Sequence, residues 1–67
     1  MVYLNGKQME YTQDKSVCAF LEEEGFHIAH IAVELNGEIL PKAKYGDTIL
    51  QQGDKLEVVH FVGGGQC

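Results

Sequence analysis

The chain contains no arginine: its strong cations are Lys7, Lys15, Lys42, Lys44 and Lys55, set against ten acidic residues for a formal charge of −5. A surface of that sign repels phosphate backbones, so the composition argues against nucleic acid and for a protein partner with a basic docking surface. No apolar run approaches the ~18 residues a membrane helix needs, and neither a signal peptide nor a lipidation box is present. The expectation is a cytoplasmic protein with no membrane association. Cysteine is scarce: Cys18 falls in an expected helix and Cys67 is the last residue, a spacing that makes neither a disulfide framework nor a zinc site. Proline occurs once, at Pro41.

With 67 residues the chain is near the lower limit at which a core stabilises itself without disulfides or metal. Each strong apolar residue of the body is therefore expected in packing. Met1 to Leu4 reads as a short strand, Asn5-Gly6 as a type I′ hairpin turn, and Gln8 to Tyr11 as the returning strand. Ser16 is an N-cap, and Val17, Phe20 and Leu21 follow at the spacing of one buried helical face. Glu22, Glu23 and Glu24 oppose the helix dipole, so packing must hold this helix. Gly25 is suited to the left-handed position after it, with Phe26 folding back onto Leu21.

Ile31 to Leu35 then reads as a strand, Asn36-Gly37 as a second tight turn, and Glu38 to Leu40 as a brief strand ended by Pro41. Lys42 to Tyr45 is expected as a helical or 3₁₀ turn, Thr48-Ile49-Leu50 as further core, Gly53-Asp54 as the last turn and Leu56 to Val62 as the last strand. One helix across one face of a mixed sheet of about five strands, an α+β fold, accommodates that order.

The most unusual stretch is the end, where Val58-Val59-His60-Phe61-Val62 runs directly into Gly63-Gly64-Gly65-Gln66-Cys67. Three successive glycines add little stability, but they make an arm without Cβ atoms that fits a narrow channel. Five extended residues reach about 17 Å, enough to place a terminal group inside a partner's active site. Residues 1–62 are accordingly expected as the domain and 63–67 as its flexible tail.

Leu35-Asn36-Gly37-Glu38-Ile39-Leu40-Pro41-Lys42, then Gly53-Asp54-Lys55-Leu56-Glu57-Val58-Val59, then Phe61-Val62-Gly63-Gly64-Gly65 closely resemble the thiamine-biosynthesis sulfur carrier family, ThiS. The likeness spans almost the whole chain, with Lys42 and Tyr45 where the family more often has arginine and tryptophan. It implies a ubiquitin-like β-grasp fold. It also implies that the chain is a co-substrate and not an enzyme. An E1-like, ThiF-like adenylyltransferase would use ATP and Mg to adenylate the last glycine. A sulfur donor such as a cysteine desulfurase would then allow thiocarboxylate formation, for delivery to a ThiG-like thiazole synthase. No cofactor would be permanently bound. Such chemistry needs an acyl carbon open to approach from both sides, which glycine provides.

The family usually ends at Gly-Gly, whereas here Gln66 and Cys67 follow, which aligns Gly64-Gly65 with the family's terminus. The leading expectation is a precursor that a metallopeptidase trims to expose Gly65. A second reading makes Cys67 a persulfide carrier, although no nearby group lowers its thiol pKa and the adjacent carboxylate favours the neutral thiol. A third leaves Cys67 inert. Sulfur delivery to an amino acid or molybdenum cofactor precursor, and a ubiquitin-like modifier or interaction module, are the alternative functions.

Period-two alternation in the last strand turns Leu56 and Val58 inward and Glu57, Val59 and Phe61 outward. Val59 and Phe61 form a candidate docking patch, or else Phe61 covers a sheet edge. His27 and His30, even with Cys18 or His60, read as surface residues and not as a metal site. Cys18 itself reads as a partly buried small hydrophobe and Glu22 to Glu24 as a solvated face.

Overall fold

A computed structural model describes residues 1–61. Its strands are β1 (Val2–Leu4), β2 (Lys7–Met9), β3 (Ile31–Leu35), β4 (Glu38–Leu40) and β5 (Lys55–His60), with one helix, α1 (Val17–Glu23). Short 3₁₀ segments occupy Ile28–His30 and Lys42–Lys44. The five strands lie in the order β2-β1-β5-β3-β4, with β1 parallel to β5 and every other pair antiparallel. Among the described residues no helix is long and apolar enough to cross a membrane.

Both Asn-Gly turns adopt positive φ at each position, 51° and 83° at Asn5-Gly6 and 54° and 87° at Asn36-Gly37, the backbone of a type I′ hairpin. That geometry pairs Leu4 directly with Lys7, so β2 begins at Lys7 and not at Gln8. It also ends at Met9, opposite Val2, because β1 supplies no strand residue opposite Glu10 and Tyr11. At the other end of the sheet, Tyr3 pairs with Lys55, which starts β5 one residue earlier than expected. β5 ends at His60, although the Phe61 N–H still donates to the His30 carbonyl at 3.0 Å. Val62 and the tail residues Gly63, Gly64, Gly65, Gln66 and Cys67 lie outside the described residues.

The helix is delimited as its sequence dictates. Ser16 Oγ accepts from the Ala19 N–H at 3.0 Å, and Val17, Phe20 and Leu21 are buried. Beyond Glu24, Gly25 takes φ 92°, its N–H donates to the Glu22 carbonyl, and the Phe26 N–H reaches back to the Leu21 carbonyl at 3.0 Å. These two bonds make the Schellman closure that satisfies carbonyls left over at the helix end. Lys15 pairs with Glu23 across the helix, easing one of the three acids that oppose its dipole.

Helix and sheet enclose Val2, Leu4, Val17, Phe20, Leu21, Ile31, Val33, Tyr45, Leu50, Leu56 and Val58. Ile49, expected in the core, is exposed: its backbone bridges to Ser16, which directs only the next side chain, Leu50, inward. Cys18 is half-buried. Loss of solvent around the buried Tyr45 pushes its hydroxyl above the ordinary value of 10.0, and a hydrogen bond with the Val33 backbone offsets part of that.

The two turn asparagines are chemically alike and differently placed. The Asn5 carboxamide accepts from the Val58 N–H at 2.7 Å and donates to the Val58 carbonyl at 3.3 Å, finishing the β1 side of β5 where β1 itself has turned away. Asn36 accepts from the Lys55 N–H and donates to Asp54, both at 3.0 Å and both in solvent. Asn5→Gly keeps the turn's backbone but strands a partly buried peptide, and should lose about 1–3 kcal/mol in urea unfolding. Asn36→Gly, whose partners find water, should lose less than about 1 kcal/mol.

Tyr45 gives a second test. Its raised value means stability is intact below the unfolded pKa near 10 and declines as pH climbs through the folded one. The stability difference between the unaltered chain and Tyr45→Phe, followed from about pH 8 to pH 11, should stay flat and then turn against the unaltered chain. A difference that never changes would show that the hydroxyl ionises as it does in the unfolded chain.

Candidate functional site

Because β5 alternates, burying Leu56 and Val58 against the helix turns Lys55, Glu57 and Val59 to the opposite face of the sheet. β3 does the same: Ile31 and Val33 point to the core, Ala32 and Glu34 away from it. The register places Ala32 beside Val59 and Glu34 beside both Glu57 and Ile39. Ile39 is 79% exposed, Val59 64% and Phe61 42%, the accessible apolar residues at this end of the sheet. Ala32, Glu34, Ile39, Glu57 and Val59 line a shallow hollow of about 160 Å³. A larger one of about 390 Å³, lined by Tyr3, Gly6, Lys55, Leu56 and Glu57, adjoins it across Glu57.

The face is thus apolar beside β4 and acidic in the middle. Glu34 and Glu57 are directly opposed on neighbouring strands, an arrangement that is mildly unfavourable in the free protein. No lysine pairs with either among the described ion pairs. An apolar surface with central carboxylates suits a partner carrying apolar side chains and a cation.

Val59 and Phe61, the expected docking residues, are both exposed. Alternation had the information to add Ile39, since Leu40 next to it is the inward residue, but a three-residue strand made the pattern easy to overlook. The opposition of Glu34 and Glu57 follows only from the register. Gly64 and Gly65, expected as the adenylation site, and Gly63, Gln66 and Cys67, expected with them in the tail, lie outside the described residues. The root of that segment is Phe61, which stands two residues before Gly63 and donates its N–H to the His30 carbonyl.

The histidines gather near that root. His27 and His30 stack with ring centroids 4.4 Å apart, whereas His60 stacks on Phe26 at 5.2 Å. Among the described residues no three groups of metal-ligating type converge. Lys42 Nζ donates to the Ala29 carbonyl at 3.2 Å and lies 5.5 Å from the centroid of the Phe61 ring, a contact that sequence spacing does not reveal.

The sequence model of the ThiS family matches residues 2–65. The chain is 42% identical over 62 residues to a thiazole synthase of Paramagnetospirillum magneticum, covering 92% of this chain and 19% of that one. It thus spans about a fifth of that relative's length. Against the sulfur carrier protein ThiS of Bacillus subtilis it is 36% identical over 66 residues, covering 97% of this chain and all of the other. The crystal structure of the thiamine biosynthesis protein ThiS from Geobacter metallireducens superposes with a TM-score of 0.76 at 30% identity, covering 96% of this chain and 97% of that one. The shared architecture is the ubiquitin-like β-grasp, and with family match, sequence identity and fold in agreement, this chain belongs to the ThiS family.

Proposed function

We propose that the chain is a sulfur carrier for the thiazole of thiamine, acting as a co-substrate of other enzymes in the cytoplasm. The observation that carries this reading is the extent of the family match, which runs through the domain and the three glycines and stops at Gly65. In this reading the reacting carboxyl belongs to Gly65, with Gly64 beside it, and the Gly65–Gln66 bond must first be cut. A metallopeptidase is the proposed agent. An E1-like adenylyltransferase then binds ATP and Mg, and the Gly65 carboxylate attacks the α-phosphorus and releases pyrophosphate. The terminal sulfur of a persulfide, drawn from a donor such as a cysteine desulfurase, displaces AMP to give an acyl disulfide. A thiol then cleaves the S–S bond, releasing the thiocarboxylate and forming a disulfide on the donor side. A ThiG-like thiazole synthase is the acceptor; the thiazole synthases among the relatives support that product over an amino acid or a molybdenum cofactor precursor.

The domain's part in this is to dock and to aim. Val59, Ile39 and Phe61 supply apolar contact, and Glu34 and Glu57 would pair with a cation of the partner. The glycines let the acyl carbon enter a channel too narrow for side chains.

A chain ending at Gly65, mixed with its activating enzyme and ATP, should support ATP–pyrophosphate exchange, while the 67-residue chain should not until Gln66 and Cys67 are removed. Intact mass of protein from its own cells should show a species ending at Gly65. Equal exchange by both chains would end the trimming step, and no exchange by either would end the carrier reading.

Val59→Asp places a third carboxylate beside Glu57 and Glu34 at an exposed position, so the fold should persist. The KM for the carrier in the same exchange should rise about tenfold or more, the scale of losing one well-packed interface contact. An unaltered KM in a folded Val59→Asp protein would remove this face from the docking surface.

A further inference from the structure

Three contacts meet where the chain leaves β5. The Phe61 N–H donates to the His30 carbonyl at 3.0 Å, one step past the β3–β5 register. Lys42 Nζ donates to the Ala29 carbonyl at 3.2 Å, and the same ammonium stands 5.5 Å from the centre of the Phe61 ring. One cation from the 3₁₀ segment after Pro41 therefore joins the segment before β3 to the residue after β5. Ala29, His30, Lys42 and Phe61 are all exposed, so this clasp adds nothing to the core. Fixing a lysine also restricts a flexible side chain, which leaves such a surface contact little net effect on folding. Its consequence falls on Phe61, the last residue before the segment that carries the reactive glycines.

We propose that Lys42 is a positioning residue, which holds the backbone at Phe61 on one course before the activating enzyme binds. The inference rests on the carrier reading. Ordering the root in advance removes part of the entropy that the enzyme would otherwise have to supply when it threads the arm. The clasp touches no reacting atom, so it acts on productive binding and leaves the chemical step alone. A guanidinium can make the same two contacts, donating to a carbonyl and lying over an aromatic face, so arginine is the conservative replacement.

The test compares Lys42→Met, which retains the aliphatic stem and loses the charge, with Lys42→Arg. In the free full-length chain, amide hydrogen exchange at Phe61 should accelerate about two- to fivefold in Lys42→Met, the range an exposed cation–π contact supports, and return to the original rate in Lys42→Arg. The thermal midpoint should be unmoved in both. In ATP–pyrophosphate exchange, using whichever C-terminal form the enzyme accepts, Lys42→Met should raise the KM for the carrier by a similar factor with kcat preserved, and Lys42→Arg should restore it. Unchanged exchange at Phe61 overturns the clasp, even if KM rises, because Lys42 would then be touching the enzyme directly. Faster exchange at Phe61 with an unaltered KM overturns the positioning role. If, with Lys42 in place, neither the 67-residue chain nor the chain ending at Gly65 supports pyrophosphate exchange, the carrier reading fails and the positioning role with it, whereas the amide rates still report separately on the clasp.

Discussion

Everything in this domain is referred to β5, the central strand, which is flanked by β1 in parallel and β3 in antiparallel. Its two sides are not held to the same height. On the β1 side strand pairing stops at Leu56, and the Asn5 side chain then stands in for a strand by bonding both polar groups of the Val58 peptide. On the β3 side pairing continues to His60, and one further bond reaches Phe61. The end of β5 that leads to the glycines is therefore secured along one edge only. Beyond that edge, Phe61 is held by the His30 carbonyl and lies under the Lys42 ammonium.

The same strand divides the sheet into a face packed against the helix and a face open to solvent. Leu56 and Val58 join Val2, Leu4, Ile31 and Val33 beneath the helix, and Phe20 and Leu21 close over them. A chain this small has no second core to spend. What remains on the reverse of the sheet is free of structural duty, so it can hold Ile39 and Val59 in solvent and set Glu34 against Glu57. Two exposed carboxylates repel weakly because water screens them. The repulsion is consequently tolerable in the free protein and can be relieved by a bound cation.

The turns and caps were the readable part of the sequence. Asn5-Gly6, Asn36-Gly37, Ser16 and Gly25 act locally, through positive φ or a single capping bond, and each does what its residue type predicts. The inward positions of the helix and of β5 were equally open, because their periodicity is unbroken. The strand limits were not. Lys7 and Lys55 look like loop residues, yet register with Leu4 and Tyr3 recruits them, while Tyr11 looks like a strand residue and has no partner. Ile49 misled for the opposite reason, an apolar residue whose backbone is used and whose side chain is not. Of the candidate site, the glycines, Val59 and Phe61 could be picked from composition and alternation. The Glu34–Glu57 opposition and the hold of Lys42 on Ala29 and Phe61 depend on long-range placement and leave no local trace.

Size bears on how such a domain can dock. A standard protein interface takes about 800 Å² from each partner. The chain exposes 4340 Å², so one such footprint would occupy roughly a fifth of its whole surface. The helix side carries Glu22, Glu23 and Glu24, whereas Ile39 and Val59, the two most exposed of the large apolar residues, both lie on the reverse of the sheet. Partners that need apolar contact with the sheet would therefore compete for this one face. A footprint of that size on so small a surface leaves room for one such partner at a time.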